Sequence, residues 1–342
     1  MKNFNKARKK IFKESGIKSN KDIKKTKNFT ELLEVIKELT PSKLNLNAKL
    51  LKSIFGEKLL NYHFIFTEGE HNVIIKKGIV NIFIIGDASV KIEAYKKASI
   101  KIETNDRALA NILIKDKSSA NIKILGKSSI NISTYNNSSL DLIIVNNSST
   151  DLEINDNSFV EILIEGNSST NILASNFSSA DIVVSDNSLL NLEVRVKSIV
   201  DVSAEGMSEI IAKITDYSLA TIKTFNKSSA SIKTLNSSST YVIISGKSSM
   251  SLETRDKSGL YVRATENSSV DVETWDESSA DVVTRYYSSA YVKTYGSSSA
   301  NVRAWSKSSK VRTAVFGENS YIRNHNEKKI YIKKDGIIFE YV

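Results

Sequence analysis

The chain of 342 residues has no cysteine, a single proline and only three histidines. Without cysteine, neither disulfide staples nor thiolate metal sites are available, and the compartment is left open. The one proline, Pro41, closes a predicted helix. His63, His71 and His325 stand far apart and none adjoins a plausible catalytic partner. There is also no phosphate-binding glycine loop and no nucleophile elbow. The expectation is a protein that is not an enzyme and that carries no cofactor and no metal. Long apolar runs are missing too: the longest fall far short of the ~18 residues that suggest a membrane span, and the start lacks the apolar core of a secretory signal.

The formal net charge of +10 is unevenly placed. Residues 1–52 hold fifteen Lys or Arg against five Asp or Glu, and the remainder is balanced at 33 against 33. Attraction to an acidic partner therefore belongs to the N-terminal segment. A solvated helical cap is the plainer reading of the same charges.

What the chain does have is a repeat. From 81 to 310 a unit of ten residues recurs with almost no insertion, as in Ala120-Asn121-Ile122-Lys123-Ile124-Leu125-Gly126-Lys127-Ser128-Ser129. Stepping by ten from Ser118 to Ser308 meets serine at all twenty positions, preceded by Ala108, Ala98, Ala88 and Gly78. That position admits only small side chains. Apolar residues follow at alternate places, for example Ala120, Ile122 and Ile124, and strict alternation is the signature of a half-buried strand. The sixth place holds Asp106, Asp116, Gly126, Asn136 or Gly166, residues that tolerate positive φ and make bends. Each unit is one strand and one bend, and a fixed repeat buries its apolar face only against its neighbours. The fold class is all-β: a single-stranded parallel β-solenoid. Its small interior residues favour two units per coil over three.

Taken in order, the chain divides into a basic helical arm and N-terminal cap (1–60), the solenoid (61–310) and a C-terminal β cap (311–342). Phe4, Ala7, Ile11 and Phe12 recur at helical spacing among Lys6, Arg8, Lys9, Lys10 and Lys13. Those five cations form the candidate docking arm. Two more helices, near 30–40 and 47–55, are predicted to close the first coil, since exposed solenoid ends need caps. The rhythm falters at Val196 and at Ile211-Ala212, where a bulge or kink is expected. It fails at Lys310 and Arg312, which fall on inward places. Lys334-Asp335-Gly336 between apolar runs predicts a hairpin over the last coil.

Several chemistries can be weighed against this frame. Twenty serines at one place cannot all be nucleophiles, whereas a hydroxyl that satisfies backbone groups is needed at every bend. The recurring Asp lacks the glycine spacing of calcium-binding β-rolls. Glu253 and Glu273, twenty apart, raise glycoside hydrolysis by paired carboxylates, the weakest of the functional readings. The Thr ladder raises ice binding, but it shares phase with Ile and Val and so points inward.

Aromatic residues concentrate toward the C-terminal end: Tyr241, Tyr261, Trp275, Tyr286, Tyr287, Tyr291, Tyr295 and Trp305. Tyr241, Tyr261, Trp275, Tyr291, Tyr295 and Trp305 are the candidate ligand-binding residues, since exposed rings stack on sugars or anchor partners. With two units per coil Trp275 would lie beneath Tyr295 and Tyr241 beneath Tyr261. Ring stacking that merely stiffens a ladder is the competing account.

The repeats Asn226-Lys227-Ser228-Ser229-Ala230-Ser231-Ile232-Lys233-Thr234 and Ser297-Ser298-Ser299-Ala300-Asn301-Val302-Arg303-Ala304-Trp305 resemble the Ser-rich decapeptide-repeat β-helical proteins of bacteriophage, prophage and gut-bacterial genomes. The resemblance covers 81–310 and is compositional. It implies a rod of a phage-like particle, docked to a particle or capsid protein through the N-terminus and carrying its aromatic half toward host glycan. Such a protein is cytoplasmic as made, then virion-associated or extracellular. The alternative is a cytosolic scaffold or nucleic-acid-associated protein acting through the basic arm.

Overall fold

The computed structural model of the protein describes residues 63–66, 68–334 and 337–341. The helices predicted within 1–60, and with them Lys6, Arg8, Lys9, Lys10 and Lys13, lie outside the described residues. Among those that are described every regular element is a strand, twenty-nine in all.

Alternate strands belong to alternate sheets, one of sixteen strands and one of thirteen. Within each sheet Ile162 pairs with Ile182 and Leu152 with Ile172, parallel and twenty residues apart. The fold is thus a parallel β-solenoid of two decads per turn, and three per coil is excluded. Thirteen rungs at about 4.8 Å make a stack on the order of 60 Å. Parallel pairing starts before the decad rhythm does, with His63 opposite Asn81 and Glu70 opposite Ser89.

The alternation in sequence becomes alternation in burial. Along Ser119–Ile124 the side chains run exposed, buried, exposed, buried, exposed, buried. Ile122, Ile124, Ile132 and Ile144 are fully or almost fully enclosed, and the β-branched residues suit a pleated, packed surface. The inner space is narrow: Thr234 and Thr240, inward from opposite sheets, bring their hydroxyl oxygens to 2.7 Å. Thr224, Thr254, Thr274 and Thr294 are buried, so the Thr ladder does not form an outer face.

Serine closes many of the corners from inside, although Ser118, Ser158, Ser248 and Ser258 are buried without a hydrogen bond to Oγ. Ser128 Oγ donates to the Leu125 carbonyl at 2.8 Å. Ser278 Oγ reaches both the Trp275 carbonyl at 2.7 Å and the Thr254 carbonyl one rung below at 2.9 Å. A hydroxyl thus satisfies acceptors that the bend would strand, and a larger side chain would not fit.

The bends carry positive φ at their sixth place. At the corner that follows the sixteen-stranded sheet, Gly86, Gly126, Gly166, Gly206 and Gly246 alternate with Asp106, Asn146, Asp186, Asn226 and Glu266. A Cβ on Gly126 would lie 2.6 Å from the Asp106 backbone nitrogen, and one on Gly166 2.8 Å from the Asn146 carbonyl oxygen. From 86 to 266 every second rung of this corner accordingly carries glycine. The side chains that remain use the space: Asp186 Oδ2 accepts the Gly166 N–H at 3.0 Å and Glu266 Oε2 the Gly246 N–H at 2.9 Å. The opposite corner alternates Asp with Asn, and Asn136 donates to Asp116 at 3.3 Å and Asn236 to Asp216 at 2.9 Å.

Two expectations are corrected. No bulge or kink marks Val196 or Ile211-Ala212: Ala212 stays inward opposite Leu192 and Ile232, and Ile211 faces solvent. The ladder bonds are made by the backbone, so a misplaced side chain does not shift them. Val196 instead occupies the bend at φ 50°. Nor does the ladder fail at Lys310 and Arg312. Ser289 pairs with Lys310 and Tyr291 with Arg312, an offset of 21 that reveals one extra residue in the corner 305–309. The insertion moves both cations to the outer face and returns Val311, Thr313 and Val315 to the inner one. Beyond this, Tyr321–Asn324 still pairs in parallel with Ser299–Val302, whereas Lys329–Lys334 and Ile337–Tyr341 add antiparallel strands to the same sheet. The Asp335-Gly336 step lies outside the described residues.

A β-branched residue in the left-handed region costs roughly 1 to 2 kcal/mol, and Val196 is already 40 % exposed. Val196→Asn should raise the urea midpoint, by about 1 kcal/mol of stability; an unchanged or lower midpoint would mean that the corner is unstrained there. Ser208 is fully buried, so Ser208→Leu should cost about 1 to 3 kcal/mol through overpacking, and a wild-type midpoint would contradict the packing described.

Candidate functional site

The outer faces carry whatever chemistry the rod has, because in-register stacking turns each outward place into a column. The six candidate aromatics fall in four separate places. Tyr241 and Tyr261 stack on the sixteen-stranded sheet, with centroids 4.9 Å apart and planes within 3°. Trp275 and Tyr295 stack at the corner that follows the thirteen-stranded sheet, at 3.9 Å and 8°. Tyr291 lies on the outer face of the thirteen-stranded sheet beside the Lys293 ammonium, which sits 4.5 Å from its centroid. Trp305 is at the other corner, with the Arg285 guanidinium 4.7 Å from its ring.

The Trp275 column is longer than the sequence suggested. Arg255 lies 4.6 Å from the Trp275 ring below, and Phe316 stacks on Tyr295 at 5.0 Å above. Phe316 escapes sequence reasoning because the extra residue in 305–309 puts it twenty-one places after Tyr295. Trp275 and Tyr295 consequently cover each other's faces, and only their edges remain open.

Trp305 is different. It is 65 % exposed, and the turn that contains Arg285 also presents Tyr286 at 62 % and Tyr287 at 72 %. Both tyrosines hold positive φ, a conformation that costs bulky residues energy. Both belong to the C-terminal cluster of aromatics but not to the six candidate binding residues; aromatic character at bend places otherwise held by Asp, Asn or Gly was the available signal.

Charges on the outer face are paired along the same columns. Glu193 meets Arg195 at 2.5 Å and Lys213 at 3.2 Å; Glu253 meets Lys233 at 3.0 Å and also Arg255. Lys293 bridges Asp271 at 3.1 Å and Glu273 at 3.0 Å. Hydrogen bonds from Arg195, then Lys213, hold the Glu193 carboxyl below its ordinary range. At Glu253 desolvation is the largest single influence and raises the value, but Lys233 and Arg255 together outweigh it and the net direction is down. An ionised, doubly paired Glu253 does not suit the proton-donor role that a glycosidase pair requires.

Two shallow troughs follow the columns. One, of about 490 Å³, lies on the sixteen-stranded sheet and includes Leu219, Tyr241, Tyr261 and Asp281. The other, of about 640 Å³, lies on the thirteen-stranded sheet and runs from Glu209 past Ser231 and Ser251 to Tyr291. Among the described residues no helix is long and apolar enough to cross a membrane, and no group of three or more His, Cys, Asp or Glu is placed to hold a metal ion. No known protein family, curated protein or solved structure matches the chain.

The paired glutamates give a pH dependence. Glu93, Glu193 and Glu253 all have folded values below the ordinary one, so their contribution is present above the unfolded glutamate value of about 4.3 and is lost as pH falls through the folded values. Asp106, raised chiefly by burial, works in the opposite sense. Asp216 is lowered as well, chiefly by its hydrogen bond from Asn236, so with four against one the urea midpoint should drop between pH 5 and pH 3, and Glu193→Gln with Glu253→Gln should flatten that drop. A midpoint that rises on acidification would show that the ion-pair columns do not stabilise the rod.

Proposed function

We propose that the chain is a structural and binding rod that presents exposed aromatic rings near its C-terminal end to a flat ligand such as a host glycan. The observation that carries this reading is the placement of Trp305, Tyr286 and Tyr287, all more than 60 % exposed, on neighbouring turns of one corner. A continuous ladder of backbone bonds fixes their spacing, so little order is lost when a ligand docks, and rigid rings offer large contact area at low entropic cost. Tyr241 and Tyr261, in their trough on the sixteen-stranded sheet, add a second aromatic surface.

The rest of the proposal concerns the two ends. Helices within 1–60 would cap the first coil, and the basic arm with Lys6, Arg8, Lys9, Lys10 and Lys13 would dock the rod on a particle or capsid protein. The antiparallel strands after Asn324 would form the hairpin cap of the last coil. The protein would be cytoplasmic as made and virion-borne or extracellular afterwards. A cytosolic scaffold that uses the arm on nucleic acid is the second reading, favoured by the confinement of the net charge to residues 1–52.

Glycan-array and cell-binding measurements on three proteins test the recognition surface. The variant Tyr286→Ser, Tyr287→Ser, Trp305→Ser should lose attachment at nearly unchanged stability, since all three rings are largely exposed. Trp275→Ser with Tyr295→Ser should keep attachment and lower the urea midpoint, because those faces are engaged with each other. If the first variant binds like the unmodified protein, the aromatic corner is not the recognition surface; if deletion of 1–28 alone removes all binding, the scaffold reading replaces this one.

A further inference from the structure

The trough on the thirteen-stranded sheet has a polar order of its own, and its ligand class can be read from it. Along its length the outward places hold Ser229, Ser231, Ser249 and Ser251, short side chains that leave a floor open to solvent. At one end the one-residue insertion in 305–309 turns Lys310 and Arg312 outward, two residues apart on the same face of the last strand, next to Tyr291. The other acidic and basic groups nearby are engaged: Asp271 and Glu273 with Lys293, Glu253 with Lys233 and Arg255. Lys310 and Arg312 are exposed and make no ion pair among the described residues. Only Glu209, at the far end, adds an unpaired charge of opposite sign.

From this arrangement we propose that the trough binds an oligosaccharide whose terminal sugar carries a carboxylate, seated with that carboxylate on Lys310 and Arg312. The proposal rests on the recognition reading above and specifies the ligand. Arginine offers a planar donor fork that matches a carboxylate, and lysine adds a point charge. Tyr291 supplies a ring at the side of the same end. Further along, hydroxyls one rung apart face hydroxyls of neutral sugars, and such contacts are neutral hydrogen bonds that orient more than they hold. A polyphosphate fits less well: its charge recurs at every nucleotide, whereas the trough is cationic only at its head and carries Glu209 at its foot. Nucleic acids are bound through many phosphates, and two cations cannot meet that need.

The test uses the full chain and a matched pair of probes: an oligosaccharide ending in a uronic acid, and the same oligosaccharide with that carboxyl reduced to the alcohol. Binding is read by calorimetry or biolayer interferometry at physiological salt. The acidic probe should bind about tenfold more tightly than the reduced one, the scale of one charged hydrogen-bonded contact. That preference should vanish in Lys310→Gln with Arg312→Gln and persist in Lys127→Gln with Lys247→Gln, which removes two exposed cations outside the trough. Ser251→Trp, which fills the trough from an exposed place, should abolish binding of the acidic probe without altering the melting temperature. Equal binding of the two probes, or a preference untouched by the cation variant, overturns this assignment and leaves saccharide recognition by the aromatic corner standing. Binding of neither probe, together with a blank glycan array, overturns both. Single-stranded DNA that competes with the acidic probe at equal affinity would make the trough a nucleic-acid surface and end the saccharide assignment.

Discussion

Parallel in-register stacking is the constraint from which the rest of this structure follows. Each residue of a turn lies directly over its counterpart twenty places away, so every place in the decad must tolerate its own kind about 4.8 Å above and below. Apolar places satisfy this readily, and Ile122 over Ile102 is simply a longer core. Small places satisfy it because the one hydroxyl proton of a serine can be shared between the carbonyl of its own bend and that of the rung beneath. Charged places are relieved by opposite charges elsewhere in their column: the adjacent Lys213 and Lys233 are flanked by Glu193 and Glu253, and the adjacent Glu253 and Glu273 by Lys233 and Lys293. The column Asp141, Glu161, Asp181 and Asp201 is the exception, four carboxylates on consecutive rungs of the sixteen-stranded sheet. Like charges directly opposite destabilise a sheet, and their outward exposure to water limits that cost.

Alternation also explains the bends. If each corner repeated one residue, either like carboxylates would stack or Cβ atoms would press on the backbone below. Asp with Asn at one corner resolves the first problem, since the amide donates to the carboxylate one rung down. Gly with Asx at the other resolves the second. From 86 to 266 the Gly corner thus has a chemical period of forty residues, two turns, whereas the Asp/Asn order of the other corner holds over 116–176 and 216–256 and ends where Asp276 follows Asp256. Val196 interrupts the Asp/Asn order and carries the strain of doing so.

Much of this was legible in the sequence, and the part that was not has identifiable causes. Strand, bend and inward Thr could be read because alternation has a period of two and the decad never slips between Ser118 and Ser298. The corner alternation was visible as letters but Asp, Asn and Gly look interchangeable when each bend is read alone; only the twenty-residue offset sets the right neighbours side by side. The insertion at 305–309 was hidden for a different reason. Ser308 and Ser309 form a doublet, so counting by tens still lands on serine although the ladder place has passed to its neighbour: Ser289 pairs with Lys310. From that miscount came the inward assignment of Lys310 and Arg312 and the omission of Phe316 from the Trp275 column. Among the candidate binding residues, the pairs Tyr241 with Tyr261 and Trp275 with Tyr295 followed from spacing alone. Their separation onto different faces did not, because it depends on which sheet each decad joins.

Aromatic columns in a solenoid have two uses that compete for the same surface. A ring that stacks on rings above and below adds about 0.5 to 1.5 kcal/mol beyond its burial, yet both of its faces are then closed to a ligand. Trp275 and Tyr295 are in that position, held between Arg255 and Phe316. Trp305 has Arg285 near it and remains 65 % exposed, and Tyr286 and Tyr287 sit at a corner where they gain little packing and bear unfavourable φ. Stiffening accounts for the first column, since its rings lie where the last turns have fewer neighbours to pack against. It does not account for the corner. Rings that pack poorly on a strained backbone add little to the ladder, and the proposed recognition role is what would account for their chemistry.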